Sequence, residues 1–140
     1  MRQMEGEVAP ILFVKVNRLV KAPLVAIVDD DDDMRDALSD LLLVLGLSSR
    51  TFDRAETLLA EYQPGVFDCI ITDLRMPGIG GLELLRRLQR SVPVIVITSD
   101  TSPRTRSQAL EDGAHAYLTK PVEDQVLLDH LRSALGLPDG

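Results

Sequence analysis

The chain has 140 residues, 45% of them apolar and 26% charged, with a net charge of −7 and one cysteine. That suits a single domain with a core of its own and excludes an intrachain disulfide. The acidic balance argues against broad electrostatic contact with nucleic acid or an anionic membrane, so the expected partners are proteins.

Residues 1–22 form an extension of open role. Residues 11–20 are apolar but interrupted by Lys15 and Arg18, and Glu5, Glu7 and Pro10 precede them. This is not the basic start and clean apolar core of a signal peptide, and it is too short and too charged to cross a bilayer. A cytosolic protein is expected. The arm reads equally as a docked strand or helix, a partner-binding segment, or residues upstream of the natural start.

From Leu24 the chain alternates strand and helix five times. A first apolar strand over 24–28 is followed by a helix from Asp32 or Asp33 to Leu45, with Ala37, Leu38, Leu41 and Leu45 on one face and Gly46 as its stop. A strand over 48–52 comes next, and Asp53 with Glu56 makes a capping-box pattern opening a helix that reaches Tyr62. The third strand, 69–72, contains Cys69 as an inert core thiol; a glycine-rich loop and a helix over 82–89 follow. A strand over 94–97 ends at Thr98, Ser102-Pro103 opens a helix that Gly113 closes, and a strand over 116–119 ends at Lys120-Pro121. Val126, Leu127, Leu131, Ala134 and Leu135 give the last helix its apolar side. Such alternation implies right-handed crossovers and a parallel sheet covered on both faces.

Two of these strands end in acids: Asp29 and Asp30 after the first, Asp73 after the third. In open α/β sheets ligands bind beyond the carboxyl ends of the strands, where strand order reverses. Three converging acids repel one another unless a cation joins them, and Mg²⁺ suits the task because it takes one or two carboxylates and keeps open positions for phosphoryl oxygens.

Four blocks, Ile27-Val28-Asp29-Asp30, Thr72-Asp73-Leu74-Arg75-Met76-Pro77, Ile97-Thr98-Ser99 and Tyr117-Leu118-Thr119-Lys120-Pro121, stand in this order at the ends of predicted strands. Together they resemble the signature blocks of bacterial response-regulator receiver domains, and the wording around Leu74 to Gly78 is similar to receivers of nitrogen-fixation-type transcriptional regulators. The resemblance covers residues 24–135 and implies a flavodoxin-like (βα)5 sandwich of strand order 2-1-3-4-5, with the receiver over 23–137 and a short tail at 138–140. No output domain is expected after the fifth helix, so the chain reads as a single-domain regulator or as a receiver cut from a longer transcription factor.

The resemblance also implies roles. Carboxylates can form an aspartyl-phosphate, and positioned positive charge stabilises phosphoryl transfer. Asp73 is the expected phosphoacceptor; Asp29, Asp30, Asp73 and the backbone carbonyl of Arg75 hold Mg²⁺, for which Mn²⁺ can substitute. Lys120 supplies a second cation, beside a Lys120-Pro121 bond that is usually cis in the family, and Thr98 donates its hydroxyl to the phosphoryl group. Thr98 and Tyr117 are the switch positions, remodelling the face made by the fourth helix, fifth strand and fifth helix. That face would take a downstream protein or a second copy of the chain, and phosphate would come from a sensor histidine kinase or phosphotransfer protein. Arg75 and Asp100 are expected to face each other across the mouth of the site and tune dephosphorylation. The result is a signalling switch that catalyses only its own phosphorylation and dephosphorylation.

Other readings fare worse. Asp29, Asp31 and Asp33 mimic a calcium loop, yet Met34 stands where the turn needs Gly and Asp40 where a Glu is expected. A haloacid-type phosphatase needs a second acid two residues after its nucleophile, and that place holds Arg75. Asp31, Asp32 and Asp33 read as helix caps or turn formers, and His115 and His130 as exposed residues without a catalytic partner. The runner-up is a receiver-like binding module that works without phosphate, against which the intact acids, Thr98 and Lys120 all argue. Two departures from the family pattern stand out: Val122 replaces the common Phe, and a short Asp73 to Thr98 spacing should trim the third helix or its loop.

Overall fold

The computed structural model describes residues 23–138; the arm, and the last two residues of the tail, lie outside them. Five strands, β1 (Leu24–Val28), β2 (Ser48–Phe52), β3 (Cys69–Thr72), β4 (Val94–Thr98) and β5 (Ala116–Thr119), alternate with five helices. The helices are α1 (Asp32–Val44), α2 (Ala55–Glu61), α3 (Gly81–Leu88), α4 (Pro103–Glu111) and α5 (Asp124–Leu135). All neighbouring strands pair in parallel, in the order β2-β1-β3-β4-β5. The flavodoxin-like order expected from the resemblance is therefore present.

Because side chains alternate across a strand, every strand except the edge strand β2, which contributes only Phe52, feeds two cores. Val25 and Ile27 of β1 join Cys69, Ile71, Ile95 and Ile97 against Leu38 and Leu42 of α1 and Leu127 and Leu131 of α5. Ala26 and Val28 join Ile70, Val94 and Val96 against α2, α3 and α4, through Leu58, Leu84, Leu85, Leu88 and Ala109. Burial on both faces explains why the central strands are apolar at every position up to the threonines, Thr72 and Thr98, that end β3 and β4. Cys69 is buried, and that burial pushes its thiol up to about 12.

Helix ends follow their local chemistry. Asp31 caps α1, its side chain accepting the N–H groups of Asp33 and Met34. Gly46, at φ +81°, closes that helix with Leu47 N–H donating 2.9 Å to the carbonyl of Leu42, a Schellman turn that needs a left-handed residue. Ser102 caps α4 through Thr105 N–H, with Pro103 in the first turn.

Several local expectations need correction. The capping box at Asp53 does not form: Arg54 occupies the N-cap of α2 without a side-chain cap bond, and Glu56 turns instead to Ile79 N–H. On α1 the deeply buried residues are Leu38 and Leu42, and Ala37 is exposed. The run 41–45 is apolar on every side of the helix, so periodicity could not choose the inward face; packing leaves Leu43 74% exposed. Val126 likewise lies on the outer side of α5, at 38% exposure, and His130 is half-buried. The short spacing before Thr98 coincides with a tight α3–β4 connection in which Gln89 and Arg90 both adopt left-handed backbone, at φ 52° and 59°.

Candidate functional site

The register of β1 on β3 pairs Val28 with Thr72, so Asp29 and Asp73 emerge side by side where the two strands end. Their backbone amides are satisfied by the sheet, Asp29 N–H donating to Phe52 and Asp73 N–H to Val28, each over 3.1 Å. Both carboxylates are buried. On the other side of β3, β5 pairs with β4 and Lys120 N–H donates 2.8 Å to the carbonyl of Thr98. That turn, which contains a cis Lys120-Pro121 bond, brings the lysine over the strand ends. Lys120 Nζ donates to Asp73 Oδ2 at 2.8 Å and to Asp29 Oδ2 at 3.2 Å.

The remaining oxygens are also engaged. Asp73 Oδ1 accepts the N–H groups of Leu74 and Arg75 at 2.6 and 3.1 Å, and Asp29 Oδ1 accepts that of Asp31 at 2.9 Å. Burial alone would raise the Asp73 carboxyl, but the Lys120 ammonium, the Arg75 N–H and the Thr98 hydroxyl outweigh it and hold Asp73 below the usual carboxylate range. For Asp29 burial wins and its carboxyl is raised, although the Asp31 amide and Lys120 oppose the shift. Burial would lower the Lys120 ammonium; Asp73 and Asp29 together reverse that and raise it.

A second chain of contacts leaves the cluster through Thr98, which is buried. Its hydroxyl accepts Asp100 N–H at 3.3 Å. Asp100 Oδ1 accepts Ser102 N–H at 2.8 Å, Oδ2 meets Arg75 at 3.1 Å, and its carbonyl accepts the Tyr117 hydroxyl at 2.7 Å. Tyr117 is turned inward and packs in the core beside α4.

The structure thus brings Asp29, Asp73, Thr98 and Lys120 together, and places Arg75 against Asp100 at the rim. Asp30 stays apart: it is exposed, and no group of three or more metal-binding side chains is assembled among the described residues. Two residues that shape the site escaped the sequence reading. Arg35, on the first turn of α1, donates 2.6 Å to the carbonyl of Asp29, and Glu56 holds the loop after Leu74. Only their spacing from the acids could have signalled them.

Whether a divalent ion suits this place is a matter of charge and donor type. Two buried carboxylates share one ammonium, leaving net negative charge at the strand ends, and burial, with a smaller push from Asp73, raises the Asp29 carboxyl. Hard oxygen donors with spare charge are what Mg²⁺ takes, with water completing its shell. The residues fit the ion.

Fold and cluster together define a flavodoxin-like α/β domain with an acid and lysine site at the carboxyl ends of its strands. Residues 25–132 match the response regulator receiver domain, and the chain belongs to that family, whose standard function is a phosphorylation-driven switch in two-component signalling and whose members generally use Mg²⁺ and interact with histidine kinases or phosphotransfer proteins. It is 37% identical over 113 residues to the transcriptional regulatory protein FixJ of Bradyrhizobium diazoefficiens, covering 78% of this chain and 55% of FixJ. It is 40% identical over 117 residues to the C4-dicarboxylate transport transcriptional regulatory protein DctD of Pseudomonas aeruginosa, covering 79% of this chain and 25% of DctD. The likeness to nitrogen-fixation-type receivers is borne out, while the chain spans only a quarter to about half of these relatives. Among solved structures, FixJ-N matches with a TM-score of 0.74 at 33% identity, covering 86% of this chain and 99% of that one. The chemotaxis protein CheY4 of Vibrio cholerae matches with a TM-score of 0.74 at 31% identity, covering 82% of this chain and all of that one. No helix among the described residues is long and apolar enough to cross a membrane.

Proposed function

We propose that Asp73 accepts a phosphoryl group from a sensor histidine kinase or phosphotransfer protein in the cytoplasm, and that the resulting aspartyl-phosphate switches a protein-binding face. The observation that carries this reading is the Lys120 ammonium on Asp73 Oδ2 at 2.8 Å. A carboxylate kept ionised by a neighbouring cation is a competent nucleophile, and that cation already stands where phosphoryl oxygens would gather. One carboxylate oxygen attacks phosphorus, the bond to the donor breaks, and the donor's leaving group keeps the electron pair. Mg²⁺, or Mn²⁺ in its place, would be held by Asp29, Asp73 and the Arg75 carbonyl, with the exposed Asp30 swinging inward to join them, and would offset the repulsion between these acids and an anionic donor.

The chain's own residues do the rest. Lys120 leaves Asp29 for a phosphoryl oxygen, since the incoming group is the stronger anion. The Thr98 hydroxyl turns toward that group and releases Asp100 N–H; the carbonyl of Asp100 is held by Tyr117, so the movement reaches the face formed by α4, β5 and α5. A bistable contact biased by phosphorylation is the physical basis of such a switch. The same face would take a downstream protein or a second copy of the chain. Beyond catalysing its own phosphorylation and dephosphorylation, the domain performs no chemistry in this reading.

The test is incubation with a small phosphodonor and Mg²⁺ followed by intact mass. One phosphoryl adduct should form, require the ion, map to Asp73 and vanish in Asp73→Asn, whose amide is too weak a nucleophile. Equal labelling of that variant would overturn the assignment.

A further inference from the structure

Glu56 stands where the sequence places the third residue of a capping box, yet its carboxylate leaves its own helix. Oε2 accepts the N–H of Ile79 at 3.1 Å, across 23 residues. It also covers Gly78, which sits at φ +78° and where a Cβ would collide with that same oxygen. The loop concerned runs from Asp73 to α3 and contains Arg75. Its ends meet: Gly81 N–H donates 2.9 Å to the Leu74 carbonyl, and a Cβ at Gly81 would come within 2.6 Å of the Asp73 carbonyl and 2.8 Å of the Leu74 Cα. Near Asp73 the loop is held by the aspartate's own Oδ1. Its outer turn, Gly78 and Ile79, donates a hydrogen bond to a side chain of one other element among the described residues, and that element is α2. The helix is a firm anchor, because Ala55 and Leu58, on either side of Glu56, are wholly buried.

We propose that Glu56 is a positioning residue for the acceptor loop, pinning its outer turn so that the Arg75 backbone stays aligned with the Asp73 carboxylate. Closed ends and a fixed outer turn leave the intervening residues little freedom, so the pin acts on the backbone that lies beside the acids. The proposal rests on the reading of Asp73 as phosphoacceptor. What Glu56 contributes is an acceptor oxygen at a set position, and its negative charge is incidental. Glu56→Gln keeps that oxygen; Glu56→Ala removes it.

The full chain, Glu56→Ala and Glu56→Gln are compared in two measurements. The first is amide hydrogen exchange at Ile79 and Arg75 without phosphodonor or metal. Losing one hydrogen bond should speed exchange at Ile79 in Glu56→Ala by about three- to tenfold, with a smaller rise at Arg75, and Glu56→Gln should stay within about twofold of the parent chain. The second is phosphorylation by acetyl phosphate across a Mg²⁺ series. Glu56→Ala should need about three- to tenfold more Mg²⁺ for half-maximal rate, with a smaller effect on the maximal rate, and Glu56→Gln should recover the parent value. A general loss of structure would instead lower the maximal rate and the melting temperature in both variants. Unchanged exchange at Ile79, an unchanged Mg²⁺ requirement, or a Gln variant as impaired as the Ala variant each overturns the proposal. If the parent chain takes no phosphate at all, the acceptor reading falls, and the exchange data alone still decide whether Glu56 pins the loop.

Discussion

Lys120 and Asp73 share a 2.8 Å hydrogen bond although 47 residues separate them, with β4 lying between the strands that deliver them. The same ammonium also serves Asp29 at 3.2 Å, so one positive charge balances two buried negative ones. Burial raises both carboxyls and the donors decide the outcome: Lys120, the Arg75 N–H and the Thr98 hydroxyl hold Asp73 below the usual range, while at Asp29 burial prevails and the carboxyl is raised.

Asp29 therefore costs stability at neutral pH. A carboxyl whose folded pKa is raised favours the folded state only while protonated, so its unfavourable contribution grows as pH climbs from the ordinary value of 3.8 and persists above the folded value. Asp29→Asn should raise the melting temperature at pH 7 without divalent ions by about 2–4 °C, and the gain should vanish near pH 3. Asp73 has the opposite sign: its depressed carboxyl contributes stability above pH 3.8 that is lost as pH falls through the folded value. A lower melting temperature of Asp29→Asn at pH 7 would contradict a net cost of burying the charged Asp29 carboxylate.

Lys120→Ala should leave Mg²⁺ binding intact while uncoupling phosphorylation from switching, because the ion needs the acids and the phosphoryl group needs the ammonium. With two buried carboxylates left facing each other, the variant should melt lower, and Mg²⁺ should raise its melting temperature more than that of the parent chain. Thermal shifts with and without Mg²⁺ read both effects. A loss of Mg²⁺ affinity as large as in Asp30→Ala would refute this division of labour.

At the rim, Arg75 is 77% exposed and Asp100 12% exposed, so solvent screens their ion pair, it adds little to stability, and its effect belongs in kinetics. Arg75→Ala and Asp100→Asn should change the rate of dephosphorylation with little change in melting temperature, and the double variant should be non-additive. Asn is the better replacement because Asp100 Oδ1 also accepts Ser102 N–H. Unchanged phosphoryl lifetimes in both single variants would remove the gating role and leave the acceptor assignment standing.

The inward face of α1 can be tested by stability. Leu42 is fully buried, and Leu42→Ala should cost about 2–5 kcal/mol in denaturant unfolding. Ala37→Ser, on the exposed side, should stay within about 0.5 kcal/mol. The reverse ranking would mean that the helix is rotated.

Much of this architecture could be read along the chain. Strands with three to five consecutive apolar residues can satisfy every side chain only between two helical layers, so β1, β3 and β4 announced a parallel sheet, and the acids, threonine and lysine that end the strands marked its functional edge. Asp31, Gly46, Ser102 and Gly113 stop or start helices by contacts within a few residues, which is why they were recognisable. Contacts between distant segments were not. The inward face of α1 depends on packing against the sheet, because residues 41–45 are apolar all round. Glu56 has a local partner by pattern but a better one in the Gly78–Ile79 turn. Asp30 has the same chemistry as Asp29 and follows it directly, yet only Asp29 is carried into the pocket with Asp73 and Lys120. Each of these outcomes turns on which groups folding brings within hydrogen-bond distance, and at these positions local sequence left more than one choice open.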